Sequence, residues 1–221
     1  MAIIEIKDIC KNYQMGKVCV QAVNNASFII NQGEFASISG PSGSGKSTLL
    51  NLMGLIDLPS SGKVILNGID VYKDFNVQEI KSIPAKLDNH LTQLRRQNLG
   101  FIFQNFNLIQ VLNVYENIAF AMEIIGSDRA TINKQVDIAL ELVGLKHKKY
   151  EKPNCLSGGE QQRVAIARAV VNLPGMIIAD EPTGNLDPDN SVEIMQLLKK
   201  INDMGATVLI ATHEDTIVKN L

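Results

Sequence analysis

The spacing of hydrophobic and polar residues predicts short strands near the N-terminus. Residues 2–9 alternate apolar and polar side chains, as in a strand with one buried face. Residues 18–30 predict one or two further strands, interrupted by the asparagine pair at residues 24–25. The Asn-Gly pair at residues 67–68 is typical of a tight hairpin turn after a short apolar run. We therefore expect an antiparallel β lobe in this part of the chain.

After residue 35, apolar strands alternate with helical patterns, which favours an α/β fold with a mostly parallel sheet. Strands are predicted at Phe35–Ser39 and at residues 100–103, 176–179 and 207–211. Helices are predicted near residues 46–53, 87–94, 114–125, 132–143, 159–171 and 189–201. Gly144 is placed to end the fourth of these helices. Val192, Met195 and Leu198 are predicted to face inward from the last one.

Composition limits the classes of function. The chain has 221 residues, of which 45% are hydrophobic, enough for one large domain with a sizeable core. A net charge of −2 gives no general electrostatic case for binding nucleic acid. Cys10, Cys19 and Cys155 are too few and too irregular for a metal site or a disulfide framework, so they are predicted to be reduced thiols. Neither a signal peptide nor an apolar run of the ~20 residues that span a membrane is expected, so a membrane role would need another anchor.

Glycines, a lysine and two hydroxyl residues lie between Phe35–Ser39 and the next helix. They fit the spacing G-x-x-x-x-G-K-[ST], with Gly40, Gly45, Lys46 and Ser47 at the fixed places. Glycines let successive N–H groups turn toward one anion, and the helix N-terminus points its positive dipole at the same place. Lys46 is expected to reach the β- and γ-phosphates of a nucleotide and Ser47 to ligate Mg²⁺. The alternative is a glycine-rich turn without a ligand. The predicted binding residues here are Gly40, Ser42, Gly43, Ser44, Gly45, Lys46, Ser47 and Thr48.

Two carboxylates follow the apolar strand at residues 176–179. A buried parallel strand delivers its last residues to the sheet edge where α/β proteins bind ligands. Asp180 is therefore expected to hold Mg²⁺, and Glu181 to accept a proton from the attacking water. Taken alone, such a pair is usually the polar start of a loop.

A second helix start rich in small residues lies at residues 156–163, with the sequence LSGGEQQR. Ser157, Gly158, Gly159 and Glu160 would expose backbone N–H groups there, which makes another anion site. The alternative is a serine N-cap followed by permissive glycines. Because one nucleotide rarely needs two such sites in one chain, we expect this one to serve a nucleotide held by a second copy.

These segments together resemble the motifs of ABC-type ATPases, the nucleotide-binding subunits of ABC transporters. Residues 156–161 resemble the ABC signature, and the match runs from residue 4 to about residue 213. The resemblance implies one ATPase domain over residues 1–221, with a P-loop NTPase core and a helical subdomain at about residues 105–170. It also implies ATP and Mg²⁺ as cofactors. Two copies would sandwich two ATP molecules in an ATP-dependent homodimer, with Ser157 and Gly159 at the partner's γ-phosphate.

The resemblance implies roles for further positions. Tyr13 resembles the aromatic residue that stacks on adenine, although a lone tyrosine is more often a packing residue. Gln104 resembles the loop glutamine that contacts Mg²⁺ and water and senses the membrane subunit. His213 resembles the switch histidine at the γ-phosphate, and residues 184–187 resemble the loop that crosses the dimer interface. The expected catalytic residues are Glu181, His213, Gln104 and Lys46, and the expected metal ligands are Ser47, Gln104 and Asp180.

Longer stretches narrow the resemblance to lipoprotein-release and macrolide-export ATPases, with antimicrobial-peptide exporters and a cell-division ATPase close by. They include GEF at residues 33–35, GFIFQ at 100–104, FNL at 106–108 and ADEPTGNLD at 179–187. The chain departs from the usual pattern at Glu160 and Glu214, and its polar arm at residues 70–95 is longer than expected. Relatives usually continue past residue 221 with another strand and helix. His90 and His147 have no motif context and are expected at the surface.

Two hypotheses of function follow. In the first, the chain is the ATP-hydrolysing subunit of an export or force-transmitting ABC transporter, held at the cytoplasmic side of the membrane by a separate permease. In the second, it is a regulatory ABC ATPase coupled to cell-division or cell-envelope machinery without moving a substrate. The nucleotide chemistry is the same in both, so the partner protein distinguishes them.

Overall fold

The computed structural model describes residues 1–80 and 82–212, with only the backbone of residue 78. It has eight strands and six α-helices in this part of the chain. The strands are β1 (Ala2–Met15), β2 (Val18–Asn31), β3 (Phe35–Ser39), β4 (Ser61–Leu66), β5 (Ile69–Asp70), β6 (Leu99–Phe103), β7 (Met176–Asp180) and β8 (Thr207–Thr212). The helices are α1 (Lys46–Met53), α2 (Ala85–Asn98), α3 (Val114–Glu123), α4 (Arg129–Leu142), α5 (Gly158–Val170) and α6 (Pro188–Asp203).

The first sheet is antiparallel, with the strand order β2-β1-β4-β5. The predicted hairpin at residues 67–68 is confirmed, because Asn67 and Gly68 both have positive φ, at 50° and 79°. The asparagine pair does not divide β2. Instead, Asn25 has a φ of 50° within a region of shifted β1–β2 pairing, so the predicted interruption is a β-bulge.

The second sheet is parallel, with the order β3-β8-β7-β6. Strand β8 is buried along its whole length and β7 along its first four residues, as expected for central parallel strands covered on both faces. The α/β fold with a mostly parallel sheet and an antiparallel β lobe is thereby confirmed. The C-terminal ends of β3 and β7 lie at the same edge of this sheet, and both are followed by predicted site residues.

Helices cover the parallel sheet and share its core. Side chains of α3, α4, α5 and α6 form one hydrophobic cluster with residues such as Ile177 and Ile210 of the sheet. The assignment of residues 105–170 as a helical subdomain, and of residues 1–221 as one domain, stays a prediction. Among the residues that the structure describes, no helix is both long and apolar enough to cross a bilayer.

One predicted core position in α6 is wrong. Val192 is 51% exposed, whereas Ile194, Met195 and Leu198 are buried. Positions three apart in an α-helix are about 300° apart around its axis, so a run of such steps drifts away from one face. Ile194 lies on the same stripe as Leu198, four residues later, and Val192 lies outside that stripe.

Candidate nucleotide-binding site

The loop between β3 and α1 folds around the side chain of Lys46. Its ammonium donates hydrogen bonds to the carbonyl oxygens of Gly40, at 2.7 Å, and Pro41, at 3.1 Å. Lys46 is only 8% exposed. The loop is therefore closed on itself, with the lysine charge held inside the curve of the backbone.

Gly45 is required at the start of α1 for two reasons. Its φ of 94° is in the left-handed region, and a Cβ there would lie 2.2 Å from the carbonyl oxygen of Ala22 in β2. Having no side chain, Gly45 cannot cap the helix as serine or aspartate would. The first N–H groups of α1 are therefore left to other acceptors, which is the arrangement that favours a phosphate.

Asp180, at the end of β7, lies beside the first turn of α1. The hydroxyl of Ser47 donates a hydrogen bond of 3.2 Å to Asp180 Oδ1. Burial raises the pKa of Asp180, and the neighbouring Glu181 raises it further, against the lowering effects of Ser47 and Lys46. A serine hydroxyl and a carboxylate are oxygen ligands that suit Mg²⁺, and a cation would offset the cost of the buried charge. The residues therefore fit this ion.

Glu181 has an unusual backbone conformation. Its φ is 48°, which is rare for a residue with a side chain. Its N–H donates to Ala211 O in β8 at 2.9 Å, and its carbonyl accepts from Gly184 N at 3.1 Å. One carboxylate oxygen, Oε1, lies 3.8 Å from Lys46 Nζ. Strained residues of this kind occur where surrounding structure fixes a functional side chain.

Gln104 follows β6, the neighbour of β7, and contacts the loop at residues 184–187. A Cβ on Gly184 would lie 2.8 Å from Gln104 Nε2, so the amide of Gln104 would have to shift if this residue had a side chain. The side chain of Asn185 donates to Gln104 O at 2.9 Å and to Asn105 Oδ1 at 3.0 Å. The structure thus joins two loops that sequence reasoning named separately.

The start of α5 is an N-cap. The hydroxyl of Ser157 accepts from Glu160 N at 3.2 Å, and the Glu160 carboxylate accepts from Ser157 N at 2.8 Å. These bonds lower the pKa of Glu160. The alternative interpretation of this motif, a serine N-cap, is therefore present in the structure. The role of the motif as an anion site stays a prediction. Ser157 itself is exposed, so the helix start faces solvent.

The helix start also packs on the first turn of α6 and on the segment between β7 and α6. A Cβ on Gly159 would lie 2.1 Å from Asn190 Oδ1. Gln162, which is fully buried, donates from Nε2 to Pro182 O at 2.6 Å. The start of α5 is thereby fixed to the segment that follows Glu181.

A sequence profile of the family described as ABC transporter matches residues 23–184. The chain belongs to the ABC transporter family. It is 48% identical, over 100% of its length and 89% of the relative, to the cell division ATP-binding protein FtsE of Streptococcus pneumoniae. It is 43% identical to the macrolide export ATP-binding/permease protein MacB of Bdellovibrio bacteriovorus, over 97% of this chain but 31% of that protein.

Solved structures agree with this assignment. The ATP-binding cassette MJ0796, in a dimeric post-hydrolysis state with ADP and Pi, superimposes with a TM-score of 0.83 and 40% identity. The match covers 97% of this chain and 89% of that one. The chain is an ATPase domain of the ABC type, and the subgroup suggested by its sequence is consistent with its relatives.

Tyr13 of this ABC ATPase lies close to α1. Its hydroxyl donates to Asp57 Oδ2 at 2.7 Å, and the backbone N–H of Asp57 donates to Asn51 O in α1 at 3.2 Å. The structure thereby links the residue predicted for adenine to the helix that follows the loop predicted for phosphates. His213 lies outside the described residues.

The two remaining histidines differ in their exposure, and the cysteines are unpaired with one another. His147 is exposed, as predicted. His90 is half-buried, and its ring stacks on Phe75 with centroids 6.4 Å apart, so it is only partly exposed. All three cysteines are free thiols, as predicted.

Sequence reasoning missed Arg168, a half-buried residue of α5. Its guanidinium donates to Asn107 O at 2.6 Å and to Phe106 O at 2.9 Å. Both acceptor residues have left-handed backbone, with φ of 50° and 59°. Arg168 therefore holds the loop after Gln104 in a strained shape. Its position in the same motif helix was a signal, but its partners lie about 60 residues away and no local pattern links them.

Proposed function

We propose that two copies of this chain bind two Mg²⁺-ATP molecules between them and hydrolyse them to drive an integral-membrane permease. The phosphate loop, Asp180 and Glu181 of one copy form half of each site. The start of α5 in the other copy forms the second half, with the backbone N–H groups at Ser157 and Gly159 directed at the γ-phosphate. The family membership supports the ATPase activity itself.

The observation that carries the proposal is that the start of α5 is exposed at Ser157, whereas the start of α1 is hydrogen-bonded to Asp180. The N-terminus of α1 lies beside the acidic end of β7, through the bond from Ser47 to Asp180. The N-terminus of α5 is tied instead to the segment after Glu181, and Ser157 is exposed. A phosphate bound to another copy of the chain would give the exposed N–H groups at this helix N-terminus a partner.

The catalytic roles follow from placement. Lys46, Ser47 and the loop N–H groups would hold the β- and γ-phosphates. Asp180, Ser47 and Gln104 would hold Mg²⁺, which would neutralise the charge that develops on the phosphates. Glu181 would accept the proton of the attacking water. His213 is proposed at the γ-phosphate on the resemblance alone.

A groove beside the Gln104 loop is the proposed docking place of the permease. It has a volume of about 430 Å³ and combines apolar walls with basic side chains, including Phe120, Ile124, Arg95 and Arg168. Phe120 and Ile124 are each 41% exposed. Because Arg168 contacts both this groove and the strained loop, docking of the permease in the groove can change the position of Gln104. The permease would hold the protein at the cytoplasmic side of the membrane.

Two kinds of permease fit this proposal. Relatives include MacB, named for macrolide export, and FtsE, named for cell division. The experiment is to express the full chain in its own cells, solubilise the membranes and identify the integral-membrane protein that co-purifies with it. An export permease with ATP-dependent transport supports the first hypothesis. A division partner without transport supports the second, and recovery of no membrane partner contradicts both.

The catalytic assignment is tested by Glu181→Gln. This variant should bind Mg²⁺-ATP as tightly as the wild type and lose turnover. Glu193→Gln is the matched control, because Glu193 is an exposed glutamate of α6 that pairs only at the surface with Arg163. Normal ATP turnover in Glu181→Gln would remove Glu181 from the mechanism.

A further inference from the structure

A cluster of polar side chains joins the end of β1 to the segment after α1. Asp57 lies at its centre and accepts three hydrogen bonds of 2.7 Å each. The donors are Lys11 Nζ and the backbone N–H of Leu58, both to Oδ1, and the hydroxyl of Tyr13, to Oδ2. Burial alone would raise the pKa of Asp57, but these bonds outweigh it and lower the pKa. The carboxylate is therefore ionised and fully engaged at neutral pH.

The same cluster fixes one face of an aromatic ring. Lys11 Nζ lies 4.8 Å from the centroid of the Tyr13 ring, within the range of a cation–π contact. The Lys11 side chain is only 12% exposed, so the ring face that it covers is directed into the protein. Tyr13 itself is only half-buried, so part of its surface is accessible to a ligand.

Backbone bonds make the cluster rigid. Ser60 N donates to Cys10 O at 2.8 Å, and Asn12 N donates to Ser60 Oγ at 2.9 Å. The ammonium of Lys11 also donates to Leu58 O at 2.7 Å. The segment 57–60 is thus attached to β1 at several points around Tyr13.

The cluster is also connected to α1, the helix that follows the phosphate loop. The backbone N–H of Asp57 donates to Asn51 O in α1 at 3.2 Å, and that of Ile56 donates to the same oxygen at 2.9 Å. Through Asp57, the orientation of the Tyr13 ring is consequently set relative to this helix. A planar base attached to phosphates in the loop would meet a ring held in a fixed position.

We propose that Asp57 is a positioning residue for the nucleotide base: by holding the Tyr13 hydroxyl and the Lys11 ammonium, it sets the free ring face against which a purine stacks. This inference rests on the proposed function, since it needs a nucleotide in the loop at residues 40–48. Asp57 does not touch the ligand. It acts through Tyr13, and its effect must depend on the presence of the base.

The test compares a ligand that has the base with one that lacks it. Dissociation constants of Mg²⁺-ATP and of Mg²⁺-tripolyphosphate are measured in a Glu181→Gln background, where hydrolysis is removed. Asp57→Asn should weaken Mg²⁺-ATP binding by roughly three- to tenfold, the effect of losing one oriented hydrogen bond. Binding of tripolyphosphate should not change. Tyr13→Phe should likewise weaken binding of Mg²⁺-ATP but not of tripolyphosphate. The double variant should bind Mg²⁺-ATP no more weakly than either single variant.

The chain offers a matched control. Asp137 accepts a hydrogen bond of 2.6 Å from Lys149, whose ammonium lies 5.0 Å from the Tyr115 ring centroid, so the same chemistry is repeated within the helical region. Asp137→Asn should change the affinity for neither ligand.

Three outcomes overturn the inference. Equal weakening of ATP and tripolyphosphate would mean that Asp57 only supports the local fold. Unchanged ATP affinity in Asp57→Asn would mean that the ring needs no positioning. Failure of the wild type to bind either ligand would overturn the proposed function and this inference with it, and is distinct from the first two.

Discussion

The hydrogen bonds from Arg168 to the loop after Gln104 should determine what fraction of the protein has that loop open. Arg168→Met removes both donors and the charge while keeping an apolar chain of similar length. Two residues of the loop, Phe106 and Asn107, have φ of 59° and 50°, and left-handed backbone costs about 1–2 kcal/mol per residue. The guanidinium donates one bond to each carbonyl, and a bond to a charged group contributes about 1.5–3 kcal/mol.

These magnitudes give the size of the effect. Burial lowers the pKa of Arg168, which shows that burying this cation has a cost, so the bonds are partly offset in the wild type. The net loss on substitution is then about 2–3 kcal/mol, or roughly a 30- to 150-fold increase in the population of open loop. Native-state hydrogen exchange should show this increase at the amides of Phe106 and Asn107, and ATP turnover should fall because Gln104 loses its fixed position.

Arg163→Met is the control on the same helix. Arg163 forms an ion pair of 3.0 Å with Glu193, whose side chain is 65% exposed, and such surface pairs contribute only ~0–1 kcal/mol. Its loop exchange should match the wild type. If Arg168→Met exchanged no faster at the loop than Arg163→Met, the loop would owe its strained shape to something other than Arg168.

Two further substitutions have definite signs. Because the folded state raises the pKa of Asp180, the stability that this carboxyl contributes is present at low pH and is lost as pH rises through its folded pKa. Asp180→Asn should therefore raise the urea midpoint of the nucleotide-free protein at pH 7 while weakening Mg²⁺-ATP binding. A lower urea midpoint would contradict this. Asn117 is fully buried, and its side chain forms hydrogen bonds with Ile109 N and O, Leu112 O and Asn113 O. Asn117→Leu, which has a similar volume, should therefore lower the free energy of unfolding measured by urea titration by about 2–4 kcal/mol. A change below ~1 kcal/mol would mean that these backbone groups find other partners.

Motifs with fixed local spacing could be predicted from the sequence. The strand Phe35–Ser39 and the glycines before Lys46 define a strand, a loop and a helix start within a short stretch, and local backbone preferences are enough to specify them. Asp180 could be placed as well, because an apolar parallel strand delivers its last residue to a known edge of the sheet.

Contacts between distant residues could not be predicted in this way. Asp57 meets Tyr13 across 44 positions, and Arg168 meets Phe106 across 62. Each of these residues is an ordinary polar residue in its local pattern, and only the packing of β1 on α1, or of α5 on the loop after β6, brings it to its partner. The error at Val192 has a related cause, since a spacing of three residues does not by itself fix which face of a helix is buried.

The proposed completion of each ATP site by a second copy of the chain is tested most directly by molar mass. Light scattering should give the molar mass of Glu181→Gln, saturated with Mg²⁺-ATP and separately with Mg²⁺-ADP, together with the ATP bound per chain. The proposed dimer should have twice the 24.2 kDa mass, with one ATP per chain, in Mg²⁺-ATP, and the protein should have the single-chain mass in Mg²⁺-ADP. A single-chain mass at full ATP occupancy would contradict it.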